Sequence, residues 1–214
     1  MTNITLEQVA PDFLEKEKIA HSEIWNKTVS IKKGERLQIV APSGSGKSSF
    51  IHFLYGMRKD YHGNILFDGK PVKNFTPEDT ANNRSNHLSI IFQDLRLFPE
   101  QTAHENIEIK RLLQPYHQQS KVNEMANALG VSSKLKQLGK TCSYGEQQRI
   151  AIIRSLQQPF DFLLLDEPFS HLDENNRKKA MALIEEEATS RGAAIILADL
   201  KPIEYFNSER TLHL

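Results

Sequence analysis

The segment APSGSGKS, residues 41–48, constrains the fold of this chain more than any other. It follows a short apolar stretch, RLQIV (36–40), and precedes an apolar helical stretch, FIHFLYGM (50–57). A strand, a glycine-rich turn and a helix in this order are what a phosphate-binding loop requires. In such a loop, backbone N–H groups and a helix N-terminus converge on phosphate oxygens, Lys47 adds a point charge, and the Ser48 hydroxyl reaches Mg²⁺. The predicted phosphate-binding residues are Ser43, Gly44, Ser45, Gly46, Lys47, Ser48 and Ser49.

Two features of this loop leave room for another interpretation. A Gly/Ser-rich turn can simply link a strand to a helix, although the intact GSGKSS sequence after a strand argues against it. Alanine also replaces the first glycine of the pattern G-x-x-x-x-G-K-[ST], at Ala41. This exchange is tolerable if φ is negative there, because only a left-handed position strictly demands glycine.

An acidic pair at the end of a second strand supplies the other half of the predicted site. The apolar run FLLL (162–165) ends in Asp166 and Glu167, as expected of a buried parallel strand whose C-terminal end opens onto a ligand. Asp166 is predicted to hold Mg²⁺, directly or through water, and Glu167 to act as general base on the attacking water. Alone, such a pair is more often a helix cap or a solvated turn; beside a phosphate loop, the functional interpretation is the stronger.

Composition limits the function classes. The chain has 214 residues, enough for one domain with an appended subdomain. Its 27 basic and 27 acidic residues leave no net field to attract nucleic acid or an anionic membrane. The single cysteine, Cys142, excludes an internal disulfide and suits a reducing compartment. No secretory signal or bilayer-spanning stretch is visible, so we expect another chain to supply any membrane span.

Periodicity outlines the remaining elements. We predict a hairpin over 63–72 around Asp68-Gly69, a strand over 88–92, helical structure from 103 to 156, a helix over 175–191, and a buried strand over 194–198. The helical middle is interpreted as an insertion into an α/β sheet domain rather than as a separately tethered unit.

Three further segments carry a family resemblance. CSYGEQQR (142–149) resembles the signature LSGGQQQR of ATP-binding cassette (ABC) ATPases, FQD (92–94) resembles their Q-loop, and SHLD (170–173) resembles their D-loop. The likeness runs from about Ile4 to the C-terminus. FQDLRLFPEQTAHENI (92–107) is most similar to ATPases of lipoprotein-release, cell-division and macrolide-export type transporters.

The resemblance implies a fold. We expect an α/β chain with a P-loop NTPase (RecA-like) core, an antiparallel β subdomain and an inserted α-helical signature subdomain. The whole chain, 1–214, would be a single nucleotide-binding domain. Residues 1–93 and 157–214 would form the core with its β subdomain, and residues 94–156 the helical subdomain.

The resemblance also implies roles for individual residues. Two copies would face head to tail, with Ser143 and the Gly145 N–H of one copy contacting the γ-phosphate held by the other. Gln93 would touch Mg²⁺ and water while its loop reports to a transmembrane partner. An aromatic residue stacks on adenine in this family. Phe13 is the candidate, with Trp25 disfavoured because it lies in what resembles the following strand; simple core packing is an equally good interpretation of a lone aromatic.

The sequence departs from the family pattern at three positions. Tyr144 stands at the first glycine of the signature, where its side chain could crowd the partner's phosphate or point away along the helix. Glu146 stands where glutamine is common, and we expect it to face away from the triphosphate. Leu197-Ala198-Asp199 is the best match to the family's T-H-D, with Ala198 in place of histidine, which would impair hydrolysis more than binding.

The function implied is that of an ATP-binding subunit of an ABC transporter. It would bind ATP and Mg²⁺, pair as a homodimer or as a heterodimer of ABC subunits, and drive a separate permease from the cytoplasmic face of the membrane, without binding nucleic acid. The alternative is an ATP-gated regulatory or structural clamp with little hydrolysis. A small-molecule kinase is disfavoured because no kinase needs the SYGEQQR and SHLD segments. A chromosome-clamp protein would need a long coiled coil, and no sustained heptads are present.

Overall fold

The computed structural model describes residues 1–214 and contains nine strands and seven α-helices. The strands are β1 Asn3–Pro11, β2 Thr28–Lys32, β3 Arg36–Val40, β4 Tyr61–Phe67, β5 Lys70–Pro71, β6 Leu88–Ile91, β7 Phe162–Asp166, β8 Ala194–Asp199 and β9 Arg210–His213. The helices are α1 Lys16–His21, α2 Lys47–Leu54, α3 Pro77–Asn86, α4 Ala103–Leu113, α5 Gln119–Ala128, α6 Tyr144–Ser155 and α7 Glu174–Ser190.

A five-stranded parallel sheet, in the order β6-β7-β8-β3-β9, forms the centre of the molecule. All five residues of β7 are buried, since both faces of a parallel sheet are covered and its strands are therefore apolar throughout. The carboxyl ends of parallel strands meet at one edge of the sheet. Val40, before the phosphate loop, and Asp166 therefore end their strands at the same edge, where such sheets bind ligands.

A second, antiparallel sheet has the order β2-β1-β4-β5. The predicted hairpin is confirmed: β4 and β5 pair across Asp68 and Gly69, whose φ angles are 47° and 80°. Two successive left-handed residues give the turn that matches the twist of paired strands, and Asp-Gly is a preferred sequence for it. The α/β fold class, with one parallel and one antiparallel sheet, is likewise confirmed.

Two apolar clusters of 27 and 26 buried residues cover the two faces of the central sheet. In the first, α4 to α7 pack against Leu163, Leu165 and Ile195. In the second, α2 and the antiparallel sheet pack against Phe162 and Leu164. Helices α4 to α6 follow β6 and precede β7 in the chain, yet they share a continuous core with the central sheet. None of the helices combines the length and apolar character needed to cross a bilayer.

The prediction that Trp25 lies in a strand is wrong. Trp25 lies in a turn, and β2 begins only at Thr28. The Ser22 hydroxyl accepts the N–H groups of Ile24 and Trp25, at 3.0 and 2.8 Å. Such side-chain to backbone bonds stabilise a turn against a strand.

A β-bulge in β1 makes one glycine indispensable to this architecture. The register between β1 and β4 shifts between Glu7 and Ala10, and Gln8 adopts a φ of 52°. A Cβ on Gly63, whose φ is 80°, would lie 2.2 Å from the Gln8 carbonyl oxygen. A side chain at position 63 would therefore cause both backbone strain and overpacking.

We predict that Gly63→Ala lowers the free energy of unfolding by roughly 3 kcal/mol or more, because strain and overpacking each cost about 1–3 kcal/mol. Gly69→Ala is the matched control, since Gly69 has the same φ of 80° but no atom within 4 Å of an added Cβ. Denaturant unfolding of both variants checks the expectation, and equal losses would contradict it.

Candidate functional site

The loop between β3 and α2 has the backbone geometry of a phosphate site. Gly44 and Gly46 take left-handed φ angles of 78° and 95°, and Gly46 is the N-cap of α2. The first N–H groups of a helix lack intrahelical acceptors and are available to an anion. Ala41 is buried and is not among the residues with positive φ, so alanine is compatible with the first position of the motif.

Trp25 contacts this loop from the buried interior of the protein. Its indole Nε1 donates to the Ser45 carbonyl oxygen at 3.1 Å, and a Cβ on Gly46 would meet the indole ring at 3.1 Å. Trp25 is 1% exposed and also packs edge-on against Phe50. It is therefore inaccessible to a base. Phe13 is 53% exposed, which makes it the accessible member of the two aromatic candidates.

Lys47 and the acidic pair converge at the open edge of the sheet. The Lys47 Nζ lies 2.7 Å from the Glu167 Oε1, and the two side chains are 6% and 13% exposed. Glu167 has a φ of 44°, a strained conformation for a residue with a side chain. The strand β7 and the loop that ends in Lys47 thus place a general-base candidate against the phosphate-binding lysine.

Asp166 fits the role of a magnesium ligand. It is 1% exposed, and its Oδ1 has no hydrogen-bond partner, while burial raises the pKa of Asp166 to about 6. Ser48, Gln93 and Asp166 line one cleft of about 390 Å³. A buried, unpartnered carboxylate oxygen beside a hydroxyl is the donor type that Mg²⁺ prefers. No group of three or more His, Cys, Asp or Glu side chains suited to a metal is present.

The structure does not place Ala198 in the site. Ala198 is fully buried in the second apolar cluster, and its carbonyl oxygen accepts the Glu167 N–H at 2.9 Å. The next residue, Asp199, lines a cleft together with Glu167. Its carbonyl oxygen accepts the Ala41 N–H at 3.1 Å, which fixes the end of β8 beside the phosphate loop. The side chain at the end of β8 that faces the site is therefore a carboxylate. Burial raises the pKa of Asp199, and the Glu167 charge raises it further.

The residues of the predicted signature form the N-terminus of α6. Ser143 is the N-cap: its hydroxyl accepts the Glu146 N–H at 3.4 Å, and the Glu146 carboxylate accepts the Ser143 N–H at 2.8 Å. Glu146 also pairs with Lys134 at 3.2 Å, so its carboxylate lies at the first turn of α6, between the Ser143 N–H and the Lys134 ammonium group. Ser143 and Gly145 make no hydrogen bond to the phosphate loop of their own chain.

Tyr144 and Gly145 pack against the segment that resembles a D-loop. The Tyr144 ring stacks edge-on against His171, with ring centroids 4.1 Å apart. A Cβ on Gly145 would lie 3.1 Å from the His171 carbonyl oxygen. The Gln148 Oε1 accepts the His171 N–H at 3.0 Å. A side chain at position 145 would thus crowd the His171 carbonyl oxygen, and Tyr144 is turned toward its own His171.

Arg154 of α6 holds the segment after Gln93, a role that no sequence motif predicted. Leu95 and Arg96 both have left-handed φ angles, 59° and 48°. The Arg154 guanidinium donates to the carbonyl oxygens of both residues, at 2.6 Å for Arg96. Burial lowers the pKa of Arg154 to about 10. A charged residue on the buried face of a helix is the sequence signal that could have marked it.

A glycine-rich loop at a helix N-terminus, facing an acidic pair at the end of another strand of the same parallel sheet, defines a P-loop nucleotide-binding protein of the α/β class. Residues 25–170 match the sequence profile of the family described as ABC transporter. The chain belongs to this family.

Curated relatives agree with this assignment. The chain is 32% identical over 189 residues to the glucose import ATP-binding protein GlcV of Saccharolobus solfataricus, covering 85% of this chain and 52% of GlcV. The chain thus spans about half the length of GlcV. It is 31% identical over 173 residues to the ABC transporter ATP-binding protein YtrE of Bacillus subtilis, covering 79% of this chain and 75% of YtrE.

Solved structures show the same fold. The dimeric structure of MJ0796, a bacterial ABC transporter cassette, superposes with a TM-score of 0.84 at 25% identity, covering 99% of this chain and 94% of that chain. The same cassette, in a dimeric post-hydrolysis state bound to ADP and Pi, superposes with a TM-score of 0.82.

We predict that Asp199→Asn raises the affinity for ATP by roughly 3- to 10-fold, because it removes a negative charge beside the site of a triphosphate. The amide keeps the oxygen that accepts the Leu200 N–H at 2.7 Å. Glu186→Gln removes the same charge from an exposed position on α7 and should leave the affinity unchanged. Titration calorimetry of the three proteins measures the difference; a variant that binds no tighter than the wild type would contradict this role for Asp199.

Proposed function

We propose that the chain hydrolyses ATP as the motor subunit of an ABC transporter, pairing head to tail around MgATP to drive a separate permease. The contact that carries the proposal is the 2.7 Å pair between Lys47 and Glu167. It brings a carboxylate general-base candidate to the lysine that would bind the terminal phosphates.

The chemistry follows from that pair. An arriving triphosphate competes with Glu167 for Lys47, so nucleotide binding releases the carboxylate to accept a proton from water. Ser48, Gln93 and Asp166 would hold Mg²⁺, which supplies positive charge to the phosphate oxygens. The backbone N–H groups of residues 43–49 would bind the phosphates, and Phe13 would stack on the base.

The exposed tip of α6 supports the dimeric arrangement. The Ser143 hydroxyl accepts one bond from Glu146, and its own proton is uncommitted. The N-terminus of α6 carries a partial positive charge, as an anion site requires. We propose that Ser143 and Gly145 contact the γ-phosphate in a second copy, or in a related ABC subunit.

The permease would dock near the Gln93 segment. Phe98, Leu112 and Leu113 are large apolar residues that are 53%, 70% and 70% exposed. Through Arg154, the segment after Gln93 is tied to the signature helix α6. Docking there would place the subunit at the cytoplasmic face of a membrane.

We also propose that residues 1–93 and 157–214 form a core with its β subdomain, and that residues 94–156 form a helical subdomain. Within the family, we propose a finer kinship to the ATPases of lipoprotein-release, cell-division and macrolide-export type transporters, which rests on residues 92–107.

A second function is favoured by Asp199. A carboxylate that faces Glu167 cannot donate a hydrogen bond to a phosphate when ionised, and it repels one. ATP binding with very slow hydrolysis would make the subunit an ATP-gated clamp rather than a motor.

Glu167→Gln separates the two functions. For a motor, we predict that the substitution lowers the ATP turnover rate by about 10²- to 10⁴-fold, the usual contribution of a general base. It should also retain ATP binding and favour the dimer, because the product is not formed. Phosphate release and light scattering with ATP measure both properties. Equal, background-level rates in wild type and variant would identify the clamp instead.

A further inference from the structure

Arg58 lies between the exposed aromatic candidate and the phosphate-loop helix. Its guanidinium carbon is 4.7 Å from the centre of the Phe13 ring, and its Nη1 donates to the Ser49 Oγ at 2.9 Å. Ser49 is the third residue of α2 and is 6% exposed. One guanidinium group therefore connects Phe13 to the first turn of the helix that would bind the phosphates.

Two N–H donors of the Arg58 guanidinium are not engaged in hydrogen bonds. Its Nε donates to the Asp60 Oδ1 at 2.9 Å, and its Nη2 donates to the other Asp60 oxygen. With the bond to Ser49, three of the five N–H groups of an arginine are engaged, which leaves two. The Arg58 side chain is 37% exposed, so these donors can reach a ligand. Asp60 holds the plane of the guanidinium in place and raises the pKa of Arg58, which keeps it charged.

The position matches one part of a bound nucleotide. With a base on Phe13 and the terminal phosphates in the loop that ends at Lys47, the connecting ribose and first phosphate would lie between the two. Arg58 is the side chain that contacts both Phe13 and the first turn of α2. A planar guanidinium with free N–H groups is well suited to bind a phosphate oxygen.

We propose that Arg58 is a nucleotide-binding residue whose guanidinium contacts the α-phosphate of the nucleotide bound at the phosphate loop. The proposal rests on the function proposed above, because it requires a nucleotide at that loop. Since ATP and ADP share the α-phosphate, Arg58 contributes equally to the binding of both.

The test compares the affinities of wild type and Arg58→Ala for ATP and for ADP by titration calorimetry. We expect both affinities to fall by about 10-fold, as for the loss of a charge-assisted hydrogen bond, and by the same factor. Lys59→Ala removes the same charge from the exposed neighbouring position and should change neither affinity by more than about 2-fold. Circular dichroism establishes that each variant is folded. Should Arg58→Ala not fold, Arg58→Gln removes the charge while keeping a donor for Ser49, and the same fall is expected.

A second comparison separates phosphate contact from support of Phe13. In a Phe13→Ala background, Arg58→Ala should still weaken ADP binding by about 10-fold if the guanidinium contacts the phosphate. No further loss in that background would overturn the proposal and make Arg58 a positioning residue for Phe13. Unchanged affinities of Arg58→Ala in an otherwise ATP-binding protein would overturn it as well. Absence of ATP binding by the wild type would instead refute the proposed function itself.

Discussion

The ion pair between Lys47 and Glu167 joins the two halves of the site. Lys47 comes from the loop after β3, and Glu167 follows β7, two strands away in the parallel sheet. The pair forms because both strands end at the same edge, and it is nearly buried, so each charge is satisfied by the other. A triphosphate that binds Lys47 would compete with Glu167 for the ammonium group. The same event would then bind the nucleotide and free the proposed general base.

The backbone around this pair is strained and is held in place by hydrogen bonds to neighbouring residues. Glu167, Leu95 and Arg96 all occupy left-handed conformations, which are costly for residues with side chains. The Ala198 carbonyl oxygen holds the N–H of Glu167, and Arg154 holds the carbonyl oxygens of Leu95 and Arg96. The indole of Trp25 fixes the phosphate loop itself. Because Arg154 lies on α6, a movement of the signature helix would be transmitted to the segment after Gln93.

Local patterns predicted the parts of this structure that depend on nearby residues. The phosphate loop, the Asp-Gly hairpin and the apolar strand before Asp166 each have a signal within about ten residues. The parts that were missed depend on distant contacts. Trp25 reaches the phosphate loop across 20 positions of sequence, and Arg58 finds Phe13 only because β1 and β4 pair. The burial of Ala198 was not predicted for another reason: β8 is apolar on both faces, so the sequence does not show which of its side chains face the site.

Calorimetric titration of the wild type and of Lys47→Ala with ATP, with and without magnesium, tests whether the loop at Lys47 binds a triphosphate. We expect saturable binding by the wild type that is strengthened by magnesium, and a loss of affinity of at least about 10-fold in the variant, because the lysine charge is aimed at the phosphates. A wild type that binds no ATP in the presence of magnesium, or a variant that binds as tightly as the wild type, would contradict it.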